Sequence, residues 1–416
     1  MTAKRVTVVG GGVIGLCAAY YLAKAGADVS VLERGAIGSG ASGGNAGWIC
    51  PSLSGPLPTS HLGGLRGLAM LRRGSPLRIA FPVDARMAEW LWRFWRRCND
   101  RDHLDGLHAI ARLAEPTMRL YDELAADGVA FEMHRSGVLV VFSDGGTARR
   151  ALAELGPASE LGFDVPDQLL GETELRSLEP ALAAGAARAG FLIRGERHVR
   201  PETLVAGLAA RLRTLGVEVR EGMGVTGLDR VSDEKMSVLV GKEAIDAEAV
   251  LLCAGAWSGR LAASLGVGLP VVAAKGHSFS VVPPVLPARP LYLAAQRIAC
   301  SPFGGELRIA GGVDIGFGDT RVDRARVEWL RSAAARALQG GLPRTVVGAW
   351  AGMRPLVPDG LPVLGRLGAF DNAYVATGHA TLGMTLGPAT GRVMAGLVLG
   401  AEVDTPLLAP FSPDRF

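Results

Sequence analysis

The spacing of apolar positions changes period several times along the chain. Val6 to Val9 is a short β-branched run, Val13 to Lys24 has helical spacing, and Val29 to Leu32 is a second strand. Helical spacing returns between about Asp105 and Gly128. GVLVVFSD, 137–144, is a buried strand, and a helix follows from about Thr147 to Gly156. Pro201 and Glu202 open a further helix that leads into a strand. Short strands continue through Val240, and another apolar strand ends at Leu252 before the small turn Ala254-Gly255. Positions 271–349 hold strand-like stretches (HSFSVV, PLYLA, LRIAGGV) and one helix near 323–338, the pattern of an antiparallel sheet. NAYVATG and PATGRVMAGLVLG then return to strand and helix. This interleaving predicts two discontinuous domains: an α/β domain from 1–60, 193–270 and 350–416, and an α+β domain from 61–192 and 271–349.

Between the first strand and helix lies Gly10-x-Gly12-x-x-Gly15, answered by Glu33 at the end of the second strand. The glycines allow a tight turn, close approach of backbone to a pyrophosphate and helix-on-strand packing, while free N–H groups at the helix start attract phosphate. A carboxylate at the second strand's end accepts hydrogen bonds from ribose hydroxyls. The unit predicts a Rossmann-like dinucleotide site, and Arg34 beside Glu33 does not decide between NAD and FAD.

Composition narrows the class. The 416 residues are 49% hydrophobic and 20% charged with a formal net charge of +4, which excludes a disordered chain and gives no bulk argument for nucleic-acid binding. The five cysteines are scattered without a CxxC pair and the seven histidines show no metal spacing, so neither a metal site nor a disulfide framework is expected. Glycines interrupt the apolar N-terminal stretch and no run of 18 apolar residues follows, so no membrane span is expected. The expected location is cytoplasmic. Between His61 and Arg101 stand nine arginines against three acids, with Trp90, Trp92, Phe94 and Trp95 near the end. A helix with one aromatic face in a core is the first reading; an amphipathic segment resting on the inner face of an anionic membrane is the second.

Three shorter stretches carry candidate chemistry. GASGG, 40–44, matches a hydrolase nucleophile elbow, but no strand runs into Ser42 and Pro51 blocks a following helix, so Ser42 is read as a cofactor ligand. Arg354 between Gly352 and Pro355 could be held rigidly for a two-pronged grip on a carboxylate. Thr381 to Thr385 lead into a helix whose free N–H groups could face developing negative charge.

VVGGGVIG with Glu33-Arg34, ASGGNAGWICPS, LCAGAWS, and above all GMRPLVPDGLPVLG with GHATLGMT, resemble the D-amino-acid oxidase superfamily of FAD-dependent amine oxidoreductases. The resemblance runs from residue 5 to about 400 and is greatest to bacterial D-amino-acid dehydrogenases. It implies a glutathione-reductase-type FAD domain on an antiparallel-sheet substrate domain, with non-covalent FAD between them. It further implies oxidation of D-amino acids to 2-oxo acids and ammonia, with electrons passing to a quinone or another acceptor. The alternative is an oxygen-using oxidase of glycine, sarcosine or D-proline-type and D-hydroxyproline-type secondary amines. By resemblance, Val13 and Ile14 lie against the pyrophosphate with Gly10, Gly12 and Gly15, and Glu33 takes the ribose beside Arg34. Ala41, Ser42 and Asn45, Ala46, Gly47 and Trp48 line the cofactor. Val225, Ala254 and Gly255 belong to its nucleotide side, and Gly352, His379, Thr381, Leu382, Gly383, Met384 and Thr385 to its ring. Arg354 takes the substrate carboxylate; His379, Tyr292 and Arg308 complete the catalytic candidates.

Overall fold

The computed structural model describes residues 3–62, 75–368, 370–402 and 404–416. Arg5–Val9, Val13–Lys24 and Asp28–Leu32 form the expected βαβ unit. Its strands lie inside a six-stranded sheet, where they are joined by Glu218–Arg220, Ala249–Leu252 and Ala373–Thr377 in parallel. Val363–Arg366 closes that sheet as an antiparallel edge. Such parallel strands are covered on both faces, and this is why they read as continuous apolar runs.

Helix Val13–Lys24 crosses Gly383–Leu399 unusually closely. A Cβ on Gly391 would strike the Cys17–Ala18 backbone, and one on Gly387 would press on Val13. Pro388 lies inside the second helix. It has no N–H to offer the carbonyl of Met384, and its ring disturbs the neighbouring bonds. Two side chains from a helix remote in sequence fill the gap: Tyr121 donates to the Met384 carbonyl at 2.6 Å and Thr117 to that of Thr385 at 3.0 Å. Both residues are fully buried.

A second sheet of nine strands has the order Val347–Leu356, Val272–Val281, Glu306–Ile315, Ile298–Phe303, Leu291–Leu293, Val138–Phe142, Ala189–Ile193 and Leu170–Gly171, with Leu77–Ile79 on Glu306–Ile315. It is mixed, not purely antiparallel: Leu139 runs parallel opposite Leu291, and Leu77 parallel opposite Val313. Each parallel contact brings together strands more than a hundred positions apart, a pairing that local periodicity does not encode. Val347–Leu356 stays in this sheet past position 350, so Arg354 sits on the large sheet although its neighbours in sequence return to the Rossmann-like layer.

The helical stretch 105–128 is two helices, Asp100–Ala114 and Thr117–Ala126, parted at Pro116. Ala85–Arg96 buries Trp90 and Phe94, which stack at 5.4 Å, but leaves Trp92 and Trp95 exposed. The aromatic cluster therefore divides between core and surface. Part of the predicted 61–101 segment, 63–74, lies outside the described residues. No described helix is long and apolar enough to cross a membrane.

Candidate active site

One cavity of about 630 Å³ runs from the end of the Asp28–Leu32 strand to the face of the large sheet. That is within the usual range for a cofactor or small-molecule site, roughly 300–1,000 Å³. Its first section is made by the glycine turn. Gly10 has φ +116°, and a Cβ there would collide with the Cys253 carbonyl; one on Gly15 would collide with the Gly10 carbonyl. Gly15 is accordingly a packing residue behind the turn and not part of the cavity wall, whereas Gly10, Gly12, Val13 and Ile14 are on the wall.

Glu33 closes this end. Its two oxygens accept from the N–H groups of Gly11 at 2.8 Å and Gly35 at 2.9 Å, and a carboxylate keeps lone pairs for further donors such as ribose hydroxyls. Arg34 lies over the Trp257 ring at 3.5 Å, forming a flat platform with Val225, Ala254 and Gly255 nearby on the wall. Ser42 accepts from Val13 N–H at 2.9 Å, capping a helix that its own N-cap, Gly12, leaves without a side chain. The serine's own proton remains free to donate. Ser42 is thus a cap at the helix start, on a wall built for an anion.

The following loop is self-supported. Asn45 donates to the carbonyls of Ala41 and Ser42 and accepts from Gly47 N–H, so its side chain shapes the loop that presents Ala41, Ala46, Gly47 and Trp48 to the cavity. Trp48 is pinned by Ser301 at 2.8 Å and meets Tyr292 edge-on at 5.6 Å. Tyr292 is on the wall, and burial pushes its phenol pKa up. Opposite stand Thr381, Leu382, Gly383, Met384 and Thr385 at the start of their helix; the Thr385 hydroxyl accepts from Cys50 N–H at 3.0 Å. His379 bonds Thr390 at 3.0 Å through Nε2, while its buried Nδ1 has no partner within the protein. Burial lowers its pKa to about 3, so the ring is neutral.

Arg354 marks the far end. Nη1 donates to the Gly312 carbonyl at 2.7 Å, and no carboxylate pairs with it among the described residues. Nearby Asp314, fully buried, is already bound by Arg78 at 2.8 Å and Arg326 at 3.0 Å. The partial exposure of Arg354 is to the cavity, and desolvation lowers its pKa to about 10. Its socket depends on two glycines. A Cβ on Gly276 would overlap the guanidinium, and Gly312, at φ +76°, sits where the pairing with Val272–Val281 slips between Lys275 and His277. Such a bulge re-aims a backbone carbonyl toward a functional group.

Two candidates fall elsewhere. Arg308 forms a two-pronged ion pair with Glu202 at 2.9 and 2.6 Å and is not on the cavity wall, so it is a structural link between helix and sheet. Gly352 also lies off the wall; it leaves space for the Trp350 ring, which Gly44 accommodates from the other side. The sequence reading missed Leu53, Leu57, Arg297, Gly312, Val313 and Met353, all on the wall. A Gly-Gly pair inside the strand-like LRIAGGV was a usable signal for the bulge; nothing local marked Arg297.

The arrangement fits an extended dinucleotide: a carboxylate at one end, free N–H groups and a hydroxyl in the middle, and an unpartnered ring nitrogen and helix start beside the large sheet. Among the described residues no cluster of three or more side chains could hold a metal ion. In fold, the chain is similar to glycine oxidase from Geobacillus kaustophilus, with 26% identity over 100% of both chains and a TM-score of 0.77. It is similar also to iminodiacetate oxidase from Chelativorans sp. BNC1, with 24% identity, 98% and 99% coverage and a TM-score of 0.72. L-proline dehydrogenase from P. horikoshii gives 18%, 100% and 98%, and 0.74. The profile of the DAO family, described as FAD dependent oxidoreductase, matches residues 5–397. The chain therefore belongs to the DAO family of FAD-dependent oxidoreductases, with FAD as its cofactor.

Proposed function

We propose that this enzyme oxidises D-amino acids to 2-oxo acids and ammonia, with non-covalent FAD, and passes the electrons to a quinone or a similar carrier. The observation that carries the reading is Arg354: a guanidinium desolvated in the cofactor cavity with one carbonyl contact and no carboxylate of its own. A substrate carboxylate would supply the missing charge and fix the Cα–H in one orientation. Bound FAD supplies the two-electron acceptor. Trp48, Tyr292, Leu53 and Met353 give that end of the cavity apolar walls, which exclude water while the Cα–N bond is oxidised to an imine. Water then hydrolyses the imine to the 2-oxo acid and ammonia. His379, neutral and tied to Thr390, is a positioning group and a poor proton store at pH 7. The D configuration is supported by the resemblance of GMRPLVPDGLPVLG and GHATLGMT.

The similarity to a glycine oxidase favours a second reading, an oxygen-using oxidase of glycine, sarcosine or D-proline-type and D-hydroxyproline-type amines. Anaerobic bleaching of the yellow holoenzyme by D- and L-alanine, D-proline, glycine and sarcosine tests both. Faster bleaching by the D forms, with dye reduction outrunning peroxide release in air, supports the first. Bleaching confined to glycine or secondary amines with stoichiometric peroxide supports the second, and bleaching only by L forms refutes both. Exposed Trp92 and Trp95 beside Arg93 and Arg96 support contact with an anionic membrane as part of the quinone reading.

A further inference from the structure

Among the described residues, only two other than glycine have positive φ, Ala380 at 46° and Arg297 at 52°, and both are on the cavity wall. The left-handed conformation strains any residue with a Cβ, and such strain gathers at functional sites. Arg297 closes the short turn Ala294–Gln296 between two strands of the large sheet, its N–H bonded to the Ala294 carbonyl at 3.2 Å. Ile298 pairs with Gly311, so Arg297 stands across from Gly312, the residue whose carbonyl anchors Arg354. A Cβ on Gly311 would lie 3.3 Å from the Arg297 carbonyl, which confirms how closely the two strands meet there. Two arginines thus line one cavity from opposite sides of Gly312, Arg354 standing on a strand further across the same sheet.

They differ in setting. Arg354 is enclosed, whereas Arg297 is exposed toward solvent and has no carboxylate or hydrogen-bond partner for its side chain among the described residues. No acid stands in the surrounding wall near it: Tyr292, Ala299, Gly311 and Val313 are neutral, and its charge is felt at the Tyr292 phenol. An unpaired cation at the cavity's mouth favours a second anionic group on whatever Arg354 holds.

We propose that Arg297 forms a second anion subsite, selecting amino acids with an acidic side chain or an N-carboxymethyl group over neutral ones of similar size. This rests on the reading of Arg354 as the first carboxylate's partner. The test uses FAD-loaded enzyme and calorimetric binding of two acids that it cannot oxidise as amines, succinate and butyrate. Succinate is expected to bind about tenfold more tightly, one partly exposed charge-assisted contact. Arg297→Gly, which relieves the backbone strain, should lower succinate affinity about tenfold and leave butyrate within about twofold; Arg297→Lys should recover part of the difference. Equal affinities for the two acids, or an equal loss for both in Arg297→Gly, would overturn the subsite. Turnover separates this from the wider reading. D-Glutamate should exceed D-glutamine in kcat/KM, and should lose that lead in Arg297→Gly. If succinate selectivity holds while no amine bleaches the flavin, the subsite stands and amine oxidation falls; if D-glutamine matches D-glutamate, amine oxidation stands and the subsite falls.

Discussion

Replacing Arg354 by methionine should push stability and binding in opposite directions. With a pKa lowered from 12.5 to about 10, the buried guanidinium costs the substrate-free protein about 3 kcal/mol, since one pKa unit is about 1.4 kcal/mol. Because this cation's pKa is depressed, the cost is fully present below pH 10 and is relieved only as pH rises from about 10 toward 12.5. Methionine removes the charge while filling similar space. It also abandons the 2.7 Å bond to the Gly312 carbonyl, which costs back about 1 kcal/mol or slightly more. The substrate-free variant should therefore be more stable by about 1–2 kcal/mol. Loss of one partner of a buried, hydrogen-bonded charge pair costs about 2–5 kcal/mol, so carboxylate binding should weaken roughly 30- to 5,000-fold. The assay is thermal unfolding of FAD-loaded protein across a propionate titration. Wild type should gain about 2.7 kcal/mol at a hundredfold excess over Kd, and the variant almost nothing at the same concentration. A variant that starts less stable than wild type, or that gains as much from propionate, would refute the picture of an unpaired cation awaiting its anion.

Tyr121→Phe should cost about 1–3 kcal/mol by leaving the Met384 carbonyl buried without a donor, visible as a lower denaturation midpoint and weaker FAD retention. Gly10→Ala should yield colourless or misfolded protein, read from the ratio of flavin to protein absorbance, because the positive φ and the Cys253 carbonyl both reject a Cβ. Glu196 is buried against Ser52 and Cys50, and burial raises its pKa to about 7. A carboxyl with a raised folded pKa favours the folded state most below its unfolded value, so stability should fall between about pH 4.5 and 7, by about 3 kcal/mol at most. Glu196→Gln should flatten that slope in pH-dependent unfolding.

How much of this was legible in sequence differs by element. The βαβ unit was, because Gly10, Gly12, Gly15 and Glu33 act within one local supersecondary motif and each is demanded by local sterics or charge. Arg354 was visible as a motif residue, but its defining property was not: that Asp314 is engaged by Arg78 and Arg326, that Gly276 leaves room for its guanidinium, and that the Gly312 carbonyl is turned toward it, depends on pairings between separate strands. Arg308 shows the converse. As an arginine in a strand near the predicted site it was a fair candidate, yet Glu202 on a helix a hundred residues away takes both its donor arms. Trp90 and Phe94 were legible as one buried stripe because they stand four positions apart, and the same helical spacing turns Trp92 and Trp95 outward.

The propped start of the Gly383–Leu399 helix ties one wall of the cavity to a segment distant in sequence. Its two supports, Thr117 and Tyr121, come from a helix encoded more than 260 positions earlier, which shares a core with the Rossmann-like strands. A fragment stitched from the Rossmann-like segments alone would carry the glycine turn and Glu33 but would leave the Met384 and Thr385 carbonyls without these donors at the cavity wall. Two carbonyls at that edge of the cavity are therefore satisfied only by contacts that cross most of the sequence, which no local segment can supply by itself.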